Sequence, residues 1–149
     1  MARRPRSYLP DGTYHVTANA VAGERVFRDD DDRVAFLRLL ERAARGFSWR
    51  IDTFCLMSTH YHLLLATTRA ELSDGFRFLN GHYARSFNDR YGRRGHVFAG
   101  RFSAWVVESE EHATAFALRY ILLNPVKAGL CASPRDWRWS GSRFGRDLG

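Results

Sequence analysis

Cysteine is scarce in this chain. Among 149 residues there are two, Cys55 and Cys131, and they form no Cys-x-x-Cys pair. This argues against a disulfide framework, and it leaves a structural zinc site without a cysteine pair to complete it. The cysteine usage indicates a protein of the reducing cytoplasm.

Long apolar runs are also missing. No stretch approaches 18 uninterrupted apolar residues, and the opening MARRPRSYLP carries charge without an apolar segment. We therefore expect neither export nor a membrane-spanning helix. The hydrophobic fraction of 45% is nevertheless enough for a core. Because no internal repeat or low-complexity linker interrupts the chain, we predict one domain over residues 1–149.

Lysine and acidic residues are outnumbered by arginine. Lys and Arg together number 23 against 16 Asp and Glu, the net charge is +7, and Lys127 is the single lysine. Arginine pairs with phosphate through its planar fork and stacks on bases, so nucleic acid is the first partner to expect. An arginine-rich surface that is merely solvated is the alternative.

Hydrophobic periodicity predicts an alternation of strands and helices. Residues 29–32, DDDD, precede an apolar-periodic stretch, and this position favours a helix N-terminus over a metal cluster. Gly75 and Gly81 weaken the prediction of the second helix without overturning it. Strands are predicted at 13–19, 47–56, 61–67 and 103–107, and helices at 34–44, 72–88 and from 108 to a stop at Pro125. The order β-α-β-β-α-β-α predicts an α+β fold, a ferredoxin-like antiparallel sheet covered by helices.

Two histidines stand unexpectedly in an apolar strand, LMSTHYHLLL at residues 56–65. Successive side chains of a strand point to opposite faces, so His60 and His62 share one face and Tyr61 points to the other. Two imidazoles in this arrangement can share a metal ion, or they can simply be a hydrogen-bonded pair. The spacing alone leaves both interpretations open.

The last helix carries a second set of polar residues. Tyr120 and Asn124 are four residues apart, so they lie on one helical face. An activated tyrosine can attack phosphorus and hold the product covalently, and an asparagine amide oxygen can be a third metal ligand. A packed tyrosine and a helix-terminal asparagine are the simpler interpretation.

The segment DRYGRRGHVFAGRF at residues 89–102 interleaves basic residues with glycines. Glycine lets the backbone approach a ligand closely, and arginine suits phosphate. A nucleic-acid contact and an ordinary exposed basic loop are both compatible with this pattern. The residues we predict to contact nucleic acid are Arg3, Arg4, Arg6, Arg93, Arg94, His96 and Arg101.

The motifs taken in order resemble one family. They are YHVT at 14–17, VFRDDDDR at 26–33, LMSTHYHLLL at 56–65, LNGHYARSFNDRYGRRGHVFAGRF at 79–102 and RYILLNPVKAGL at 119–130. This set resembles the REP-associated tyrosine transposases, which belong to the single-tyrosine branch of the HUH nucleases. The chain departs from its relatives at two positions. Many relatives have Asn or Asp where this chain has Thr59, and many have Lys where it has Ser103.

The resemblance implies a site and a reaction. His60, His62 and Asn124 match the family's metal ligands, for Mg²⁺ or Mn²⁺, and Tyr120 matches its nucleophile. The implied activity is a metal-dependent single-stranded DNA endonuclease and strand transferase, which acts beside DNA hairpins or palindromic repeats through a 5′-phosphotyrosine intermediate and needs no nucleotide cofactor. Relatives occur as monomers or as homodimers. The alternative is a domesticated protein that binds hairpin DNA or RNA and rarely cuts it.

Overall fold

A computed structural model describes residues 11–107 and 111–145 of the chain. Within these residues it contains five strands, three α-helices and a short 3₁₀ turn at Pro134–Asp136. The elements are β1 (Gly12–Asn19), α1 (Asp30–Gly46), β2 (Arg50–Leu56), β3 (His60–Thr67), α2 (Arg69–Tyr91), β4 (Ser103–Val107), α3 (Glu111–Lys127) and β5 (Ser140–Ser142). None of the helices in the described segments is long and apolar enough to cross a membrane.

The sheet has the strand order β4-β1-β3-β2-β5, with every neighbouring pair antiparallel. Its first four strands follow the ferredoxin-like order, because α1 connects β1 to β2, α2 connects β3 to β4, and β3 lies between β1 and β2. The predicted α+β fold is therefore confirmed. The edge strand β5 was not predicted, since its sequence SGS has little β-propensity and it pairs only along Thr53 to Cys55.

One face of the sheet packs against α1 and α2. Tyr61, Leu63 and Leu65 of β3 point to this face and are fully buried. Aromatic rings interlock there, with Phe36 at 4.7 Å from Tyr61 between ring centroids and Trp49 at 4.5 Å from Phe76. Such burial of large apolar side chains is the main source of stability for a domain of this size.

The acidic run before α1 caps the helix as predicted. The Asp29 side chain accepts a hydrogen bond from the Asp32 backbone N–H at 2.9 Å, and Asp32 itself is buried. The Arg90 guanidinium donates to Asp32 at 2.6 Å and the Tyr91 hydroxyl donates at 2.7 Å. This network ties the start of α1 to the end of α2, so these carboxylates are structural.

Several predicted boundaries are wrong, including both ends of α1 and of α2, which extend two to four residues beyond the predicted limits. The second strand begins at Arg50 rather than at residue 47, because Ser48 has a positive φ of 55° and cannot continue a strand. The last helix does not stop at Pro125 but continues to Lys127. A proline so close to a helix end forfeits one backbone hydrogen bond, and the next turn still closes through Ala128 N–H to Asn124 C=O at 3.0 Å. The predicted start at 108 lies outside the described residues.

Candidate active site

The second face of the sheet carries the predicted site. Strand alternation directs His60, His62 and Leu64 of β3 to this face, opposite Tyr61. Helix α3 packs here through Ala117 and Ile121, which join a small buried cluster with Leu64. The cluster anchors α3 over β2 and β3.

The anchoring of α3 brings Tyr120 to the histidines. The ring of Tyr120 lies edge-on to His62 with 5.9 Å between centroids, and the rings of His60 and His62 are 5.0 Å apart. Tyr120 is 41% exposed, so its hydroxyl can reach a molecule arriving from solvent. Lys127 places its Nζ 5.3 Å from the centre of the tyrosine ring, which puts a positive charge beside the phenol.

Tyr61 behaves as the alternation predicts. It is fully buried on the other face, and its hydroxyl donates to Asn80 Oδ1 at 2.7 Å. Burial raises the pKa of the Tyr61 hydroxyl, with the hydrogen bond to Asn80 opposing that rise. The two tyrosines near the histidines are therefore separated by the thickness of the sheet.

His60 lies between the β2–β3 turn and α3. Its Nδ1 is 3.0 Å from Thr59 Oγ1, and its side chain lies beside that of Asn124. Burial lowers the pKa of His60, and the neighbouring Asn124 side chain works in the opposite direction. The structure thus brings together His60 and Asn124, two residues that are distant in the sequence.

His62 is held by a residue that the sequence patterns did not single out. Its Nδ1 lies 3.0 Å from Nε2 of His15, which comes from the middle of β1. Burial, together with the neighbouring His60 and His15, lowers the pKa of His62 to about 3. Burial also lowers the pKa of His15. All three imidazoles are therefore neutral at pH 7, the state in which a histidine can bind a metal.

The donor set fits a divalent metal if Asn124 takes part. Within the described segments, no three or more His, Cys, Asp or Glu side chains are arranged to hold a metal ion. His60 and His62 would supply imidazole nitrogens, and Asn124, which lies beside His60, would supply an amide oxygen. A mixed nitrogen and oxygen set is compatible with Mn²⁺ and, less favourably, with Mg²⁺, which prefers oxygen. The partner at His62 Nδ1 leaves Nε2 as the nitrogen for a metal.

An open, largely apolar groove of about 490 Å³ begins at Tyr120. Trp105 of β4 and Phe116 of α3 line it and are 54% and 73% exposed, which is unusual for such large apolar side chains. Sequence reasoning missed both residues. A signal was present for Phe116, because it lies one helical turn before Tyr120.

The predicted DNA-contacting arginines are in different situations. Arg93 is half-buried, pairs with Glu24 and donates to Asn88 Oδ1 at 2.9 Å, so it holds its own loop together. Arg94, His96 and Arg101 are exposed. Arg3, Arg4 and Arg6 lie outside the described residues.

The loop that carries these residues sits near the histidines. The backbone N–H of Ala99 donates to the carbonyl of Asn19 at 2.8 Å, and Asn19 pairs with His60 across the sheet. The arginine–glycine loop therefore docks at the end of β1 where β3 begins. A second groove, of mixed polarity and also about 490 Å³, runs along α2 beside this loop and includes Arg77 and Arg101.

Comparison with solved structures finds the same fold in other proteins. A structure described as the REP-associated tyrosine transposase bound to a REP hairpin matches with a TM-score of 0.74 and 19% identity, covering 94% of this chain and 82% of the other. A candidate transposase from Deinococcus radiodurans matches with a TM-score of 0.54 and 20% identity, covering 80% and 95% of the two chains. No curated protein sequence matches this chain significantly.

The sequence identifies the family more directly. Residues 9–122 match the family model of the IS200-like transposases. The chain therefore belongs to the IS200-like transposase family, and the expected kinship with tyrosine transposases is confirmed.

Proposed function

We propose that this transposase-family protein is a metal-dependent single-stranded DNA endonuclease and strand transferase that acts beside a DNA hairpin. The observation that carries the proposal is the half-exposed Tyr120 beside the neutral imidazoles of His60 and His62. A nucleophile open to solvent on a helix, facing potential metal ligands on a rigid strand, suits attack on a phosphodiester.

The proposed reaction assigns one task to each side chain. The Tyr120 oxygen forms a bond to the scissile phosphorus and its phenol proton passes to solvent, while the bond from phosphorus to the 3′-oxygen breaks and that oxygen takes a proton from solvent. His60, His62 and Asn124 would hold a divalent ion, which when bound supplies charge stabilisation to the phosphate and to the departing oxygen. The products are a 5′-phosphotyrosine and a free 3′-OH. Because the number of phosphodiester bonds is conserved, the reverse attack by a 3′-OH transfers the strand.

The DNA would lie across the second face of the sheet. The groove lined by Trp105 and Phe116 starts at the nucleophile, and exposed aromatic side chains stack on unpaired bases. The relative with a REP hairpin bound supports a hairpin as the paired part of the substrate. The net charge of +7 favours any such polyanion.

The reaction is tested with a hairpin oligonucleotide that has single-stranded flanks and a different label at each end. With Mn²⁺, we expect the label on the 3′ side of the cut to migrate with the protein on a denaturing gel and the other label to appear on a shortened strand with a 3′-OH. Peptide mapping should locate the adduct at Tyr120. Hairpin binding with no cut strand in Mn²⁺ or Mg²⁺ would contradict the proposal and favour the binding protein that rarely cuts.

The mode of DNA binding is tested by salt. If arginines contact about six phosphates or more, hairpin affinity should fall on the order of 1,000-fold between about 50 and 200 mM salt. A blunt duplex of the same length is the control and should bind less tightly at every salt concentration. Equal affinity for both ligands would indicate a generic basic surface.

A further inference from the structure

His15 stands at the centre of the candidate site without a role in the reaction proposed above. It lies in the middle of β1, opposite Leu64 of β3 and Trp105 of β4. Its ring centroid is 5.2 Å from that of His62 and 5.7 Å from that of Tyr120. One side chain therefore contacts both a predicted metal ligand and the predicted nucleophile.

The hydrogen bond between His15 and His62 restricts where their protons lie. His15 Nε2 and His62 Nδ1 are 3.0 Å apart, so one nitrogen donates and the other accepts. For His62 to offer the lone pair of Nε2 to a metal, its proton must be on Nδ1 and must be donated to His15 Nε2. The proton of His15 is then on its own Nδ1.

We propose that His15 is a positioning residue, which selects the metal-binding tautomer of His62 and packs against the ring of Tyr120. The inference rests on the proposed function, since it gives His62 a metal to bind. Partners of this kind orient a ligating histidine and make it a better donor, and their loss typically weakens metal binding about 10- to 100-fold. The alternative is that the two histidines are only a packed polar pair.

Three variants separate these interpretations. His15→Leu keeps the volume of the side chain but removes the acceptor, whereas His15→Gln keeps an acceptor oxygen. His82→Leu is the matched control, because His82 is exposed on α2 and stacks on Phe78, on the other side of the sheet. Circular dichroism and thermal melting establish that each variant is folded.

The first readout is Mn²⁺ affinity of the DNA-free protein, followed by electron paramagnetic resonance. We expect His15→Leu to weaken Mn²⁺ binding about 10- to 100-fold, His15→Gln to recover most of that loss, and His82→Leu to match the wild type. Equal Mn²⁺ affinity of His15→Leu and wild type would overturn the inference.

The second readout needs neither metal nor activity. Long-range ¹H–¹⁵N spectra of the imidazoles report the tautomer, and we expect His62 to carry its proton on Nδ1 in the wild type and to change in His15→Leu. A proton on Nε2 of His62 in the wild type, or an unchanged tautomer in His15→Leu, would overturn the inference.

The outcomes distinguish the inference from the proposed function. If the wild type binds Mn²⁺ but forms no covalent DNA adduct, the proposed reaction is overturned and the role of His15 in metal binding still stands. A normal adduct with unchanged Mn²⁺ affinity in His15→Leu overturns the role of His15 alone. A wild type that binds no Mn²⁺ overturns both.

Discussion

The two faces of the sheet are built from the same strands but have different roles. The face under α1 and α2 is filled with interlocked aromatic and aliphatic side chains, including Tyr61 and Leu63. The face under α3 has a small apolar cluster beside polar groups that remain open to solvent, including Tyr120. Neighbouring residues of β3 thus stabilise the fold on one side and form the candidate site on the other.

The comparison shows how a small domain can position reactive groups without weakening its core. The histidines are attached to a strand that is itself fixed by the packed face, so their relative positions do not depend on a flexible loop. The open face needs only enough apolar contact to hold α3, which Ala117 and Ile121 provide. Substitutions should therefore affect chemistry on one face and stability on the other.

The strongest test compares the two tyrosines. Tyr120→Phe removes only the attacking oxygen from an exposed position, so we expect normal folding and hairpin binding with complete loss of nicking and of the covalent adduct. Tyr61→Phe removes a buried hydroxyl that donates to Asn80. It should cost about 1 kcal/mol of stability and leave the adduct intact. Denaturing gels and chemical unfolding measure the two effects.

The reverse result would contradict the separation of the faces. Nicking at the wild-type level by Tyr120→Phe, or an adduct mapped to Tyr61, would return Tyr120 to the role of a packed surface residue.

The second test compares His60 with Leu63. His60→Ala, like removal of divalent metal with a chelator, should abolish cleavage while most hairpin binding and the melting temperature persist. Leu63→Ala leaves a cavity in a fully buried site, so it should cost about 2–5 kcal/mol of stability yet retain cleavage wherever the variant is folded. Undiminished cleavage in excess chelator would remove the metal from the mechanism.

A smaller effect concerns the packed face alone. Gly75 lies where α2 crosses Trp49, and a Cβ at this position would overlap the indole ring. We expect Gly75→Ala to lower the free energy of unfolding by about 1–3 kcal/mol, because the ring is buried and can move little. Urea unfolding measures the change, and an unchanged midpoint would show that Trp49 is loosely packed.

The smallest effect comes from the second glycine of the same helix. Gly81 is exposed, and a methyl group added there would meet no atom within 4 Å beyond its own stretch of helix. Gly81→Ala should therefore raise the free energy of unfolding by about 0.5–1 kcal/mol, since alanine restricts the unfolded chain and favours a helix. Urea unfolding again measures the change, and a loss of stability would mean that this exposed face of α2 has a packing role.

Local periodicity was enough to predict several features of this protein. Alternation along β3 separated His60 and His62 from Tyr61, helical spacing put Tyr120 and Asn124 on one face, and the run before α1 predicted its cap. Each of these depends on the geometry of one element, which the residues within it specify. The sequence motifs also identified the transposase family.

Other features depended on tertiary contacts. Nothing local predicts that His15 meets His62, 47 residues away, because that pairing follows from the register of β1 against β3. Arg93 is held by Glu24 rather than left free, and α3 passes through Pro125 rather than ending there. The sequence by itself determined which side chains share a face of each strand or helix. Only the tertiary structure decided which faces meet and which remain open, because burial and register depend on residues far apart in the chain.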